Sequence, residues 1–248
     1  IVDSRRPDWL LATGDREEAM NMALCGAYMN LAMAHYGAGD RVVGNVDDMV
    51  RHSVSRLAHI LLTTHEDARQ RLIRTGEEEW RVHNVGHAGL DRMRDAAPLD
   101  HKSLAKSLAV PEIKEPYLMV VQHPISSEIC QSGCQMRETL AAVETLGLQA
   151  FVIHPNSDPG SHEMVRVCQE FSASPGIHFF NTIPDLAFVN LLRGAAVLVG
   201  NSSLGILEAP FLGLPVVNVG NRQTDRHHVE NVAFVPHDRH QIVRQIRQ

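Results

Sequence analysis

The stretch "AAVLVGNSSLGILEAPFLGLPVVNVGNRQ", residues 195–223, decides how this chain is read. An apolar run stops at Gly200-Asn201-Ser202-Ser203, restarts as a helical pattern containing Glu208, and is followed by a second apolar run ending Gly220-Asn221-Arg222. A strand that ends in Gly and enters a helix through Asn and two Ser residues presents unpaired backbone N–H groups and hydroxyls at a helix N-terminus, which is an anion cradle. An ordinary Asn or Ser helix cap explains the same turn. Glu208 adds something a cap does not need. Amid Leu204, Ile206, Leu207, Ala209 and Phe211, a carboxylate is costly unless something accepts its charge, and a pair of ribose hydroxyls would do so. Arg222, at the end of the next strand, is placed to reach the same diphosphate or the carboxylate itself.

Working outward, short β-branched runs alternate with longer helical patterns. "DWLLATG" (8–14), "LAMAHY" (31–36), "ILLTT" (60–64) and "RVHNVG" (81–86) read as strands, separated by "REEAMNMALCGAYMN", "VDDMVRHSVSRLAH" and "EDARQRLIRTG" as helices. Residues 96–116 interrupt this rhythm with Pro98, Pro111 and Pro116, after which "YLMVVQH", "LQAFVIH", "IHFFNT", "AAVLVG" and "PVVNVG" continue it. The expected organisation is therefore α/β, with one lobe over 1–98 and a second over 99–248. Repeated right-handed βαβ units build parallel sheets that bind ligands beyond the carboxyl ends of their strands, so the lobes are expected to be Rossmann-like and to face a central cleft. The run "LAMAHYGAGDRVVG" imitates a dinucleotide fingerprint, but glycines at 37, 39 and 44 do not fit G-x-G-x-x-G.

Composition bounds the partners. The chain has 248 residues, 44% of them hydrophobic, enough for a sizeable core and about two domains. A net charge of -6 gives no basic field for a nucleic-acid backbone, so nucleic acid is excluded and any phosphate contact is local. Cys25, Cys130, Cys134 and Cys168 form no C-x-x-C pair and have no metal-ligand spacing, which reads as reduced thiols in a cytoplasm and no bound metal. No apolar run approaches a membrane span, and no charged-then-apolar leader precedes Ile1. The start at Ile1 without Met reads as a fragment.

The motif "GNSSLGILEAPFLGLPVVNVGNRQ" resembles the nucleotide-binding signature of the UDP-N-acetylglucosamine 2-epimerase family, most closely its hydrolysing, N-acetylmannosamine-forming branch. The segments "RPDWLLATGDREEA", "VDDMVRHSVSRLAH", "RLIRTGEEEWRVHNVGHAGLD", "YLMVVQHPISSE" and "HPNSDPGSHEMVRV" resemble family segments in the family's order, so the likeness covers nearly the whole chain. The resemblance implies two lobes of glycosyltransferase-B type, with the N-terminal lobe incomplete here. It implies that Asn156, Ser202, Ser203, Glu208 and Arg222, with Arg16 and Asn201, hold a UDP-sugar or UDP. It places His123, Asp15, Asp47, Asp48 and Arg51 at the sugar as the catalytic set. A homodimer or higher homo-oligomer is also implied. The residues themselves give partial support. Asp15 and His123 each end a predicted strand, whereas Asp47 and Asp48 open a helix, where carboxylates also serve as dipole partners.

The implied reaction uses no cofactor. UDP leaves carbon 1 as a base removes the carbon 2 proton; water then adds at carbon 1 and a proton returns to carbon 2 from the opposite face, releasing N-acetylmannosamine for sialic-acid-type sugars. It requires a cradle for the departing diphosphate and carboxylates or a His for proton transfer. One departure stands out. Where the family carries a His-Ile-Glu-Gly-Gly-Glu-like run, this chain has His35-Tyr36-Gly37-Ala38-Gly39-Asp40, with Gly37 in place of the glutamate. A glycosyltransferase of the same architecture and a nucleotide-sugar-binding homologue with impaired catalysis therefore remain alternatives.

Overall fold

The computed structural model describes residues 2–5, 7–41, 46–224 and 230–248. Gly44 of the rejected glycine run lies outside them. The chain divides into two compact units, residues 1–88 and 89–248.

In the first unit the elements run α1 (Val2–Arg5), β1 (Trp9–Thr13), α2 (Glu17–Tyr28), β2 (Ala32–Tyr36), α3 (Val46–Leu57), β3 (Ile60–Thr63), α4 (Glu66–Arg74) and β4 (Val82–Asn84). The four strands form a parallel sheet in the order 1-2-3-4. Alternate residues Leu10, Ala12, Met33, Leu61 and Val82 point into one core with Ala19 and Ala23 of α2, Val54 of α3 and Leu72 of α4. Trp9 and Leu11 belong to the other register of β1 and are 55% and 54% exposed. The alternation along β1 is therefore one-sided, unlike the two-sided burial usual in parallel sheets.

The second unit contains α5 (Ala88–Asp95), α6 (His101–Leu108), β5 (Tyr117–Val121), α7 (Ser132–Leu146), β6 (Gln149–Ile153), α8 (Ser161–Glu170), β7 (Ile177–Phe180), α9 (Asp185–Gly194), β8 (Val197–Gly200), α10 (Leu204–Leu207), β9 (Val216–Val219), β10 (Val232–Val235) and α11 (Arg239–Ile246). Its sheet is parallel with order 10-9-8-5-6-7. Here both faces are buried. Tyr117, Met119 and Val121 of β5 pack into a core with α6 and α9, while Leu118 and Val120 pack into another with α7, α8 and α11. That explains why β5 reads as a continuous apolar run rather than an alternating one. Met93 of α5 joins the first of these cores, so residues 89–98 pack with the second unit although the prolines suggested a boundary after Pro98. No described helix is long and apolar enough to cross a membrane.

The strand order reverses between β5 and β8, and the crevice beyond the carboxyl ends of strands at such a reversal is where open α/β sheets bind ligands. Val121 and Gly200 are register partners at that point. Gly200 has φ +132°, and a Cβ there would lie 2.2 Å from the Val121 carbonyl oxygen, so only glycine lets the two strand ends approach this closely. Gly200→Ala is expected to destabilise the protein by about 3 kcal/mol, the scale of backbone overpacking. Urea denaturation measures this; an unchanged midpoint would contradict the packing account.

Candidate functional site

The sequence-predicted residues fall on both units. In the second, they gather at the reversal point. Asn201, fully buried, forms a reciprocal pair with the backbone of His123: the His123 N–H donates to Asn201 Oδ1 at 2.7 Å, and Asn201 Nδ2 donates to the His123 carbonyl at 2.9 Å. The Asn201 carbonyl in turn accepts from Arg222 Nη1 at 3.2 Å and Gln223 Nε2 at 2.8 Å. Arg222 and Gln223 are both buried. One residue thus ties the loop after β5 to the turn after β8 and the turn after β9. Asn156, in the loop after β6, joins them through its backbone: its N–H donates to His123 Nδ1 at 3.2 Å.

The anion cradle is narrower than the sequence suggested. The Asn201 and Ser202 N–H groups are not free; both donate to the Val121 carbonyl, at 3.2 and 3.3 Å, because Gly200 brings the strand ends together. Leu204 N–H is capped by Ser202 Oγ at 3.3 Å. What stays available is the Ser203 N–H, which has no acceptor among the described residues, and the two half-buried hydroxyls. The helix beyond is one turn long, so its dipole contributes little.

Glu208 is also placed differently. It closes α10 rather than lying inside a longer helix, since Pro210, which has no N–H to continue the α-helix, sits in the first turn of a 3-10 helix over Ala209–Leu212. Its carboxylate has a cation nearby: Arg92 Nη2 lies 3.6 Å from Oε1. Arg92 also pairs with Asp185 at 2.7 Å and stands 5.7 Å over the Phe188 ring. Glu208 therefore does not need a ligand to account for its charge, and Arg92, 116 positions away, gave no sequence signal of this.

In the first unit, Asp15 and Arg51 meet in an ion pair, and Arg51 Nη1 donates to the Gly37 carbonyl at 2.5 Å. Arg51 is buried and commits both terminal nitrogens to the protein, so it holds the loops after β1 and β2 together. Asp47 and Asp48 occupy the first turn of α3, Asp47 buried and Asp48 half-buried, and Arg16 is the N-cap residue of α2. Gly37 has φ +80° with only ordinary contacts around a Cβ, so a residue other than glycine there would carry about 1–2 kcal/mol of left-handed strain.

His35 is a further functional candidate that motif reading passed over. It is fully buried, its Nε2 lies 2.8 Å from the Gly14 carbonyl and its Nδ1 2.9 Å from Ser55 Oγ. Only a donor satisfies a carbonyl, so the neutral ring carries its proton on Nε2, while Nδ1 faces the Ser55 hydroxyl, which itself donates to the Arg51 carbonyl at 3.0 Å. Burial pushes its pKa down to about 4; the Gly14 hydrogen bond opposes this and the nearby Arg51 charge adds to it. The neutral ring thereby anchors the loop that carries Asp15.

The family model for UDP-N-acetylglucosamine 2-epimerase matches residues 1–248. Among similar proteins, a UDP-N,N'-diacetylbacillosamine 2-epimerase (hydrolyzing) from Legionella pneumophila is 33% identical over 235 residues, which are 95% of this chain and 62% of that protein. A UDP-N-acetylglucosamine 2-epimerase from Neisseria meningitidis is 32% identical over 248 residues, all of this chain and 65% of that protein. The chain thus spans less than two thirds of either relative. The crystal structure of a Neisseria meningitidis UDP-GlcNAc 2-epimerase bound to UDP-GlcNAc aligns with a TM-score of 0.82 at 18% identity, covering 100% of this chain and 69% of that one. At that identity the likeness is one of fold: α/β with parallel sheets, of glycosyltransferase-B type.

The His35 geometry has a consequence for stability. Below about pH 6.5 the unfolded chain binds a proton that the folded ring refuses until about pH 4, so the contribution of His35 is complete above pH 6.5 and is lost as pH falls toward 4. Between pH 7 and pH 5 the wild type should lose about 2 kcal/mol through this group, and His35→Gln should lose correspondingly less. Urea midpoints at the two pH values test it; parallel losses in both proteins would contradict the assignment.

Proposed function

The chain belongs to the UDP-N-acetylglucosamine 2-epimerase family, and from that premise we propose that it binds UDP-N-acetylglucosamine or a closely related UDP-sugar and inverts carbon 2 with hydrolysis, releasing UDP and the free 2-epimer. The observation that carries this reading is the joining of His123 and Arg222 through Asn201 beside the Ser202-Ser203 turn, at the strand reversal of the second unit. An anion leaving from carbon 1 gains charge as the bond breaks, and the donors suited to it are the Ser203 N–H, the two hydroxyls, the His123 ring and the Arg222 guanidinium. Asn156 contributes through its backbone, and Asn201 by holding the others in place. Glu208 takes the ribose hydroxyls, with Arg92 beside it. The carbon 2 proton is taken and returned by carboxylates among Asp15, Asp47 and Asp48, with Arg51 fixing Asp15 and Arg16 lying next to it in the chain. Each step balances: the C–H electron pair forms the double bond as the C–O pair departs with the diphosphate, and water then supplies both the carbon 1 hydroxyl and a proton.

The naming of the Legionella relative as a hydrolysing enzyme supports the hydrolytic outcome, and its diacetylated substrate makes such a UDP-sugar the second compound to test. A cytoplasmic location, fitting the free thiols of all four cysteines, belongs to the same proposal, as do homo-oligomerisation and a supply role for sialic-acid-type sugars. Gly37 favours a second reading, binding with slow or no turnover, because it removes a carboxylate from the place where the family resemblance puts one. Product analysis separates these: free N-acetylmannosamine indicates hydrolytic epimerisation, a glycosylated acceptor indicates transfer, and bound but unchanged substrate indicates a binding protein.

Glu208→Gln is expected to weaken UDP binding by about 1–3 kcal/mol, the scale for a hydrogen-bonded charge. Calorimetry with UDP provides the check. Unchanged affinity together with a lowered melting temperature would assign Glu208 to its ion pair with Arg92 instead.

A further inference from the structure

We propose that Asp158 is a positioning residue that fixes the tautomer of His123, so that the imidazole presents a neutral Nε2–H donor and not a base. The inference rests on the reading of His123 as part of the substrate site and adds the groups that set its chemistry. A backbone N–H can only donate, so the 3.2 Å bond from Asn156 to His123 Nδ1 requires that nitrogen to be unprotonated. The neutral ring then carries its hydrogen on Nε2. A proton added at Nδ1 would face the Asn156 N–H directly.

What places that N–H is the loop between β6 and α8. Asp158 N–H donates to Asn156 Oδ1 at 3.3 Å, and Asn156 Nδ2 donates to Asp158 Oδ2 at 2.7 Å, closing a small ring around Ser157. Asp158 is buried at 4% exposure, and its carbonyl accepts the Ser161 N–H at 3.0 Å at the start of α8. The Asn156 side chain is thereby turned into loop architecture while its backbone is aimed at the ring. His123 is held from the other side by the Asn201 pair. A histidine whose second nitrogen is bound in this way has its orientation and its proton set together, as in sites where an outer partner fixes an imidazole. An Nε2–H suits the charge that grows on a departing diphosphate. It is the wrong group to remove the carbon 2 proton, which leaves that step to carboxylates.

The test uses the protein with 15N-labelled histidine. Two-bond 1H–15N correlations at neutral pH distinguish the tautomers, and His123→Gln identifies the resonance. The wild type should show the Nε2–H pattern. Asp158→Ala should give mixed tautomers and a kcat for UDP-N-acetylglucosamine about 10-fold to 100-fold lower, with KM little changed. Asp158→Asn, whose amide oxygen can still accept from Asn156, should restore both. An Nδ1–H pattern in the wild type overturns the proposal even if Asp158→Ala does not fold. It is equally overturned if Asp158→Ala lowers the melting temperature but leaves tautomer and kcat unchanged. If instead the tautomer behaves as expected but His123→Gln turns over like the wild type, the assignment of His123 to the substrate site has failed and the tautomer control stands.

Discussion

The arrangement at the site depends on one buried amide. Asn201 closes both hydrogen bonds with the His123 backbone as a neighbouring strand would, at the point where β5 and β8 have ended and no ladder remains to do so. Each of those backbone groups, left unpaired in a buried setting, would cost about 1–3 kcal/mol. The pair is possible only because Gly200 allows the Val121 carbonyl to collect two N–H groups across the gap. His123, Arg222, Gln223 and the Ser202-Ser203 turn are consequently fixed relative to each other, in the way a preorganised anion site needs.

The parts of this design that were legible in the sequence are those governed by local pattern. The apolar runs at 117–121 and 197–200 gave strands, and Gly200-Asn201-Ser202-Ser203 marked the turn between strand and helix. The parts that were not legible depend on groups far apart in the chain. The turn looked like a row of free N–H donors because nothing local reveals that Val121, 80 positions before Asn201, takes two of them. Glu208 looked like a carboxylate in need of a ligand because Arg92 comes from α5. Asn156-Ser157-Asp158 did carry a readable signal, since Asn with a polar residue two positions later favours a side-chain-to-backbone turn, but its aim at His123 is a tertiary fact.

The first unit shows the same division. Arg51 and His35 both stabilise the loops after β1 and β2, one through an ion pair and a carbonyl, the other through a neutral ring in a closed pocket. Reading Arg51 from the family resemblance alone assigns it to the sugar; its geometry gives it the further task of holding Asp15. Gly37 connects these observations. Its carbonyl receives Arg51, and its left-handed backbone favours glycine at this position.

The central proposal is that this chain catalyses elimination of UDP across carbons 1 and 2 of the sugar. Its most direct test is NMR of UDP-N-acetylglucosamine incubated with the protein in D2O. The account requires deuterium at carbon 2 of the released N-acetylmannosamine, with UDP formed in equal amount. Release of UDP with the sugar still bearing its original carbon 2 proton would contradict it, because the bond to the diphosphate would then have been broken without the proton transfer on which the whole arrangement is read.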